Sequence, residues 1–183
     1  RYEDGPLLGI GGMGEVRLAR DQRIGRAVAR KTLRAGVTGE RALRRFVREA
    51  RVQGQLEHPA VVPVYDLGVD ELGRPFFTMK RVVGHTLASI LNGLAKGDEA
   101  IEARYSQRKL LGAFENACLA IELAHKRGVI HRDLKPENLM LGDFGEVYVL
   151  DWGLAKLSNE DENASTSGER PLSLPPPSKM TRD

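Results

Sequence analysis

The sequence is poor in several features that mark special classes of protein. Its 183 residues contain one cysteine, so no internal disulfide can form and a reducing compartment is expected. That residue, Cys118, lies in an apolar helical pattern, which predicts a buried thiol. No apolar run reaches the roughly 18 residues of a membrane-spanning helix, so no membrane segment is expected within this chain. The net charge of +3 is too small to indicate a nucleic-acid partner.

What is present divides the chain into two parts of different character. Residues 1–83 contain short β-compatible runs, among them Glu15–Arg20 and Ala27–Leu33, and one amphipathic helical pattern. Residues 84–157 carry a long helical pattern over Tyr105–Arg127 and then short strands. This order predicts an α+β fold, in which a β-rich lobe with one helix precedes the first part of a helical lobe.

A glycine-rich stretch, GIGGMGEV, opens the first part and has the spacing G-x-G-x-x-G-x-V. Gly9, Gly11 and Gly14 would let backbone N–H groups approach an anion closely. Alone, the pattern also fits a glycine-rich hairpin without a ligand, or a dinucleotide site. A dinucleotide site needs a helix directly after the glycines, whereas strand-like EVRLA follows here. The pattern therefore favours a hairpin folded over phosphates.

A lysine and a glutamate further along the chain indicate a phosphate-binding site only if their side chains pair with each other. Lys31 in VARK would lie on a strand beside the glycines, where it could reach phosphate oxygens or simply face solvent. Glu49 lies among arginines in the predicted helix, where it could balance charge locally or point inward to Lys31. The sequence alone leaves both alternatives open.

Five motifs in one order carry a family resemblance. The stretches GIGGMGEV, VARK, REA, HRDLKPEN and DWG, with their separations, resemble the eukaryotic-like (Hanks-type) protein kinases. The sequences of these motifs, and the stretch HPAVVPVYDLG, are most similar to those of bacterial serine/threonine kinases. The resemblance implies the bilobal protein-kinase fold and transfer of the γ-phosphate of ATP to protein hydroxyls, with Mg²⁺ or Mn²⁺ as the metal.

The resemblance also assigns residues to the site. Lys31, held by Glu49, would bind the α- and β-phosphates. Asp133 would orient the substrate hydroxyl, and Lys135 would neutralise the transferring phosphoryl group. Metal binding falls to Asn138 and Asp151. The implied nucleotide contacts are Gly9, Ile10, Gly11, Gly12, Gly14, Val16, Ala29, Lys31, Met79, Lys80, Val82 and Met140, with Val16 and Ala29 above adenine, Met140 below it and Met79 as gatekeeper.

Other functions remain as alternatives. A non-catalytic ATP-binding pseudokinase or scaffold usually lacks at least one of five residues that are all here: Lys31, Glu49, Asp133, Asn138 and Asp151. A small-molecule phosphotransferase of related fold is disfavoured by the Lys135-Pro136-Glu137 context. The position of Lys135, two residues after Asp133, is typical of serine/threonine rather than tyrosine kinases. A protein substrate, dimerisation for autophosphorylation and a cytoplasmic location, free or as part of a membrane-bound receptor kinase, are further expectations.

The end of the chain departs from the family pattern, and so does the DWG motif, in which Trp152 stands where the family usually has phenylalanine. Residues 158–183, rich in Ser, Asn, Glu and Pro, are predicted to be a flexible and incomplete activation segment, so this piece alone is expected to be impaired. Arg132 is expected to pair with a phosphate on that segment, at a site within residues 166–181. Trp152 is expected to pack between His131 and the helix that carries Glu49. Gln53 either loosens that helix or hydrogen-bonds the Trp152 indole.

Overall fold

The computed structural model describes residues 1–37 and 39–157, which fall into two compact units. The first unit comprises Arg1–Gly54 and Pro63–Arg81, and the second comprises Gln55–Val62 and the described residues from Val82 onward. The predicted boundary between residues 83 and 84 stays a prediction. The predicted flexible segment 158–183, with its phosphorylation sites, lies outside the described residues.

The first unit is a five-stranded antiparallel sheet with one helix. Its strands run in the order β1-β2-β3-β5-β4. Their bounds are β1, Tyr2–Ile10; β2, Gly14–Asp21; β3, Arg26–Leu33; β4, Val64–Val69; and β5, Pro75–Lys80. Helix α1, Glu40–Gln55, connects β3 to β4. The two strands predicted in the first part of the chain are confirmed, each slightly longer than expected.

One face of this sheet packs on α1. Phe77 on β5 and Phe46 on α1 are both fully buried, with ring centroids 5.2 Å apart, and Leu33 and Ala50 complete the cluster. Burial of two aromatic rings contributes strongly to the stability of such a small core. Lys31 lies opposite Phe77 in the β3–β5 register, so it points to the same face as the helix.

The opposite face of the sheet is crossed by ion pairs. Arg30 on β3 pairs with Asp4 at 2.9 Å and lies within 3.7 Å of Asp70. Its guanidinium also lies 4.3 Å from the centroid of the Phe76 ring. Because its side chain is only 9% exposed, these partners offset the cost of burying its charge. The network joins strands β1, β3 and β5 and the turn that follows β4.

The second unit combines three helices with small strand pairs. Its helices are α2, Leu87–Ala95; α3, Glu99–Arg104; and α4, Gln107–Lys126. Its strands are β6, Gly84–Thr86; β7, Val129–Ile130; β8, Leu139–Gly142; β9, Val147–Val149; and β10, Lys156–Leu157. Strands β6, β8 and β9 form one sheet and β7 pairs with β10. The side chains of Thr86, Asp98 and Ser106 accept hydrogen bonds from N–H groups in the first turns of α2, α3 and α4.

Helix α4 shows where the sequence reading was wrong. Its buried stripe consists of alanines, Ala113, Ala117, Ala120 and Ala124. Cys118 is exposed, so the predicted buried thiol is wrong. The hydrophobic positions of this helix do not all share one face, and the small alanine side chains occupy the packed one. Across the described part of the chain, no helix combines the length and apolarity needed to cross a bilayer.

Candidate active site

The glycine-rich stretch forms the tight turn between β1 and β2. The Gly11 N–H donates to the Gly14 carbonyl at 2.8 Å and closes the turn. A methyl group at Gly14 would lie 3.0 Å from the Thr32 carbonyl oxygen, so the close packing of the two strands favours glycine at this position. At Gly9 and Gly12 no atom lies within 4 Å of the added methyl position. Their backbone therefore borders open space, which suits the close approach of an anion.

Lys31 and Glu49 form a buried ion pair. The Lys31 Nζ atom lies 2.5 Å from Glu49 Oε1, and the two side chains are 14% and 3% exposed. Of the two alternatives for Glu49, the structure therefore has the inward one. Removing either charge would leave the other in a largely apolar surrounding, so the pair ties α1 to β3.

The remaining predicted nucleotide contacts fall on two units. In the first, Val16 lies opposite Lys31 and Ala29 lies opposite Met79, so all four share the α1 face of the sheet. Ile10 ends β1 with 64% of its surface exposed, and the Lys80 N–H donates to the Pro63 carbonyl at 3.0 Å. In the second unit, Val82 is the residue directly after Arg81, the last described residue of the first unit. Met140 lies on β8, opposite Thr86 and Tyr148.

Two predicted catalytic residues, Asp133 and Lys135, meet the predicted metal ligand Asn138 in the loop after β7. Lys135 Nζ lies 3.1 and 2.9 Å from the two carboxylate oxygens of Asp133. The Asn138 amide nitrogen donates to the Asp133 carbonyl at 2.7 Å and to its Oδ2 at 3.1 Å. The hydrogen bonds from Lys135 and then Asn138 lower the pKa of Asp133, and the bond to Asp133 raises the pKa of Lys135. Asp133 is therefore a fixed, charged acceptor.

His131 joins this loop to the segment that carries Asp151. It is 3% exposed, its Nδ1 accepts from the Asp133 N–H at 3.3 Å, and its Nε2 faces the Leu150 carbonyl at 2.9 Å. Since Nδ1 accepts, the proton lies on Nε2, which donates to Leu150. Burial lowers the pKa of His131, which keeps the ring neutral. Its linking role had no signal in the sequence beyond its place before Asp133.

Asn138 and Asp151 fit the chemistry of a magnesium or manganese ion. The Leu150 N–H donates to the Asn138 carbonyl at 2.8 Å, which sets the two segments side by side. The Asn138 amide nitrogen is engaged by Asp133, so its oxygen is the atom left for a cation. One amide and one carboxylate oxygen suit a hard divalent cation that takes its other ligands from phosphates and water.

Trp152 follows Asp151 and is almost fully buried, at 1% exposure. The predicted packing on His131 is confirmed, with ring centroids 4.6 Å apart. Of the two alternatives for Gln53, a hydrogen bond with the indole is wrong, because the single indole N–H donates to the Val149 carbonyl at 3.3 Å, and the looser helix stays a prediction. The Gln53 amide nitrogen instead lies 3.8 Å from the Met79 sulfur. The expected phosphate partner of Arg132 lies outside the described residues, and Arg132 here donates to the Leu154 carbonyl at 2.7 Å.

Comparison with known proteins identifies the family. The profile of the protein kinase domain matches residues 2–171. The chain belongs to the protein kinase domain family. The kinase resembles a serine/threonine-protein kinase PknD of Chlamydia trachomatis serovar D, with 41% identity over 182 residues, covering 93% of this chain and 19% of the relative. It is also 40% identical over 168 residues to PknD of Chlamydia pneumoniae, covering 89% of this chain and 18% of the relative.

The matched region is a small part of these relatives. The kinase chain spans about one fifth of the length of the PknD proteins that it matches. Its fold, a β-rich unit with one helix and a second unit of helices and short strands, is that of the protein kinase family, as the sequence predicted.

Proposed function

We propose that the protein carrying this kinase domain transfers the γ-phosphoryl group of ATP to serine or threonine hydroxyls of proteins. The observation that carries the proposal is the hydrogen-bonded set of Asp133, Lys135 and Asn138, with a charged carboxylate held by two donors. The buried Lys31–Glu49 pair supplies the second part of the required machinery. A scaffold that does not catalyse transfer would not need all of these groups.

Lys31 and the glycine-rich turn would hold the nucleotide phosphates. The Lys31 ammonium is a fixed positive charge, because Glu49 leaves it little freedom to move. Gly9 and Gly12 would present backbone N–H groups where no side chain blocks approach, and the Gly11 N–H, which donates to the Gly14 carbonyl, would keep the turn in shape. Together with Ile10 and Gly14, they account for the proposed phosphate end of the site.

Apolar side chains are proposed to contact adenine. They are Val16, Ala29 and Met79 on the first unit and Met140 on the second. Backbone groups of the stretch from Lys80 to Val82 would read the adenine edge, so the charged side chain of Lys80 need not touch the ligand.

Asp133 would orient the attacking hydroxyl and accept its proton. Its carboxylate is charged at neutral pH, as an ordinary aspartate would be, and the hydrogen bonds from Lys135 and Asn138 lower its pKa further. Lys135 would move its charge to the transferring phosphoryl group, where negative charge is spread over the oxygens. Bound Mg²⁺ or Mn²⁺ would supply further positive charge to the phosphate oxygens, and Asn138 and Asp151 are the residues proposed to hold it.

The choice of serine or threonine hydroxyls rests on sequence likeness. Lys135 has the spacing from Asp133 that is typical of serine/threonine kinases, and the PknD relatives are named as such kinases. A protein substrate, autophosphorylation through dimers and a cytoplasmic site of action, free or as part of a membrane-bound receptor kinase, belong to the same proposal.

The test compares Asp133→Asn with wild type in the full-length protein, using Mg²⁺, labelled ATP and a generic protein substrate. Loss of a positioned acid–base group predicts a fall in transfer of about 10²- to 10⁴-fold. Asp143→Asn is the matched control, because Asp143 lies in the turn between β8 and β9 and pairs with Arg104. Equal labelling by wild type and Asp133→Asn contradicts the role of Asp133. Absence of labelling in wild type, with nucleotide still bound, favours the pseudokinase alternative.

A further inference from the structure

Trp152 is the residue at which this kinase departs from the usual phenylalanine of its metal-binding motif. Its side chain contacts the His131 ring and donates an indole hydrogen bond to the Val149 carbonyl at 3.3 Å. Phenylalanine could make the ring contact but has no donor for the carbonyl. The indole N–H is therefore a feature that ring packing alone does not explain.

The residue between these two partners has an unusual backbone. Asp151 has a φ of 59°, in the left-handed region that residues with a side chain seldom adopt. Its conformation therefore depends on surrounding contacts that hold it there. The direction of its carboxylate depends on the same backbone angle.

Hydrogen bonds fix the backbone on either side of Asp151. Before it, the Leu150 carbonyl accepts from His131. After it, the Gly153 N–H donates to the Asp151 carboxylate at 3.3 Å. The indole bond differs from both because it spans Asp151, joining a carbonyl two residues before it to the side chain that follows it.

We propose that Trp152 is a positioning residue for the metal ligand. By donating to the Val149 carbonyl, its indole N–H holds the left-handed backbone of Asp151, and so keeps the carboxylate in one position. This inference rests on the proposed function, in which Asp151 binds the divalent cation. It predicts that loss of the donor, with the ring kept, weakens metal binding without unfolding the domain.

The sharpest variant keeps the ring and removes only the donor. In the full-length protein, Trp152 is replaced by benzothienylalanine, whose sulfur takes the place of the N–H in a fused ring of similar size. Trp152→Phe, which also removes volume, is the genetically simpler second variant. Tyr148→Phe is the matched control, because it removes a buried hydroxyl from β9, which also carries Val149.

Two measurements follow, and neither needs phosphate transfer. Hydrogen exchange at the Gly153 and Ala155 amides reports how often this loop opens, because both N–H groups donate hydrogen bonds within it. The Mg²⁺ dependence of thermal stabilisation by a non-hydrolysable ATP analogue reports metal binding. Loss of one hydrogen bond predicts exchange faster by about two- to tenfold and a Mg²⁺ midpoint raised by a similar factor. The Tyr148→Phe protein should keep the wild-type midpoint.

Each contrary outcome identifies what is wrong. An unchanged Mg²⁺ midpoint with benzothienylalanine overturns the inference, whether or not exchange is faster, because the bond would then be structural only. A change with Trp152→Phe alone assigns the effect to ring volume and also overturns it. Wild type that binds Mg²⁺ and nucleotide but transfers no phosphate refutes the proposed transfer and leaves both measurements valid. Wild type without any Mg²⁺-dependent stabilisation overturns the inference too.

Discussion

Each unit contains one ammonium–carboxylate pair at its candidate site, and the two pairs differ mainly in burial. In the first unit, Lys31 and Glu49 are 2.5 Å apart, with side chains 14% and 3% exposed. In the second, Lys135 and Asp133 are 2.9 Å apart, with side chains 48% and 26% exposed. Similar chemistry is therefore placed in two very different surroundings.

The difference in burial suits two different roles, one in holding the structure and one in the transfer reaction. A buried pair cannot lose one partner without leaving a charge away from water, so it holds its geometry. An exposed pair contributes little to stability, because water solvates either partner after separation. Lys135 can therefore leave Asp133 when a hydroxyl and a phosphoryl group arrive, whereas Glu49 keeps Lys31 in place throughout. We expect the first pair to govern stability and binding, and the second to govern the rate of transfer.

The largest effect on stability is expected from Lys31→Met. This change leaves the Glu49 charge buried, so the free energy of unfolding of the first unit should fall by about 3–5 kcal/mol. Nucleotide-dependent stabilisation should be lost as well. Hydrogen exchange of the β3 amides in the full-length protein measures the first quantity, and thermal shift with Mg²⁺ and ATP measures the second.

A double variant separates these two effects. Adding Glu49→Leu to Lys31→Met removes the buried carboxylate as well, and replacement of a buried pair by apolar groups is often neutral for stability. Exchange at β3 should return close to the wild-type rate, while nucleotide-dependent stabilisation stays absent. If the β3 amides of the Lys31→Met protein exchange at the wild-type rate, then the buried pair does not stabilise the first unit as predicted.

The sequence predicted the residues of the two pairs but not how deeply each pair is buried. It identified Lys31, Glu49, Asp133 and Lys135, because their motifs stand at fixed places along the chain. It did not decide whether Glu49 points inward, since both sides of a helix of this composition are chemically acceptable. That choice depends on the β3–β5 register, which puts Lys31 beside Phe77 and under α1.

A smaller effect is expected from His131, a buried titratable group of the second unit. Burial lowers the pKa of His131, so the unfolded chain takes up this proton at a higher pH than the folded chain. The free energy of unfolding should therefore fall as the pH decreases below about 6.5, by at most about 1.4 kcal/mol per pH unit from this group. Above that pH the contribution is constant.

His131→Phe isolates this term, because it keeps a ring beside Trp152 and removes the titration. Hydrogen exchange of the β9 amides, corrected for the intrinsic pH dependence of exchange, gives the free energy of unfolding from about pH 5 to pH 8. Because only wild type carries the titrating group, the free energy of unfolding of wild type minus that of the variant should fall as the pH decreases. Parallel profiles would show that burial does not shift the titration of His131.

Other parts of the fold were beyond the reach of sequence patterns for physical reasons. Helices α2 and α3 are short and were not identified, since six to nine residues give little periodicity. Cys118 was wrongly placed in the core because small alanines, rather than the larger apolar residues, face inward on α4. The indole bond of Trp152 depends on a local turn around a left-handed Asp151, which no propensity predicts.

The smallest effect on stability, with a large one on rate, is expected from Lys135→Gln. The pair with Asp133 is exposed, so water replaces the lost contact and the exchange rates of the second unit should not change measurably. Transfer should nevertheless fall by about 10²- to 10³-fold, because a fixed charge at the phosphoryl group is lost. Lys126→Gln is the matched control, since Lys126 forms a lysine–carboxylate pair with Glu122 on α4 that is even more exposed than the Lys135–Asp133 pair. Both variants should be equally stable, and only Lys135→Gln should be slow. A loss of stability confined to Lys135→Gln would mean that the exposed pair also holds the loop, and the contrast with Lys31 and Glu49 would then be one of degree.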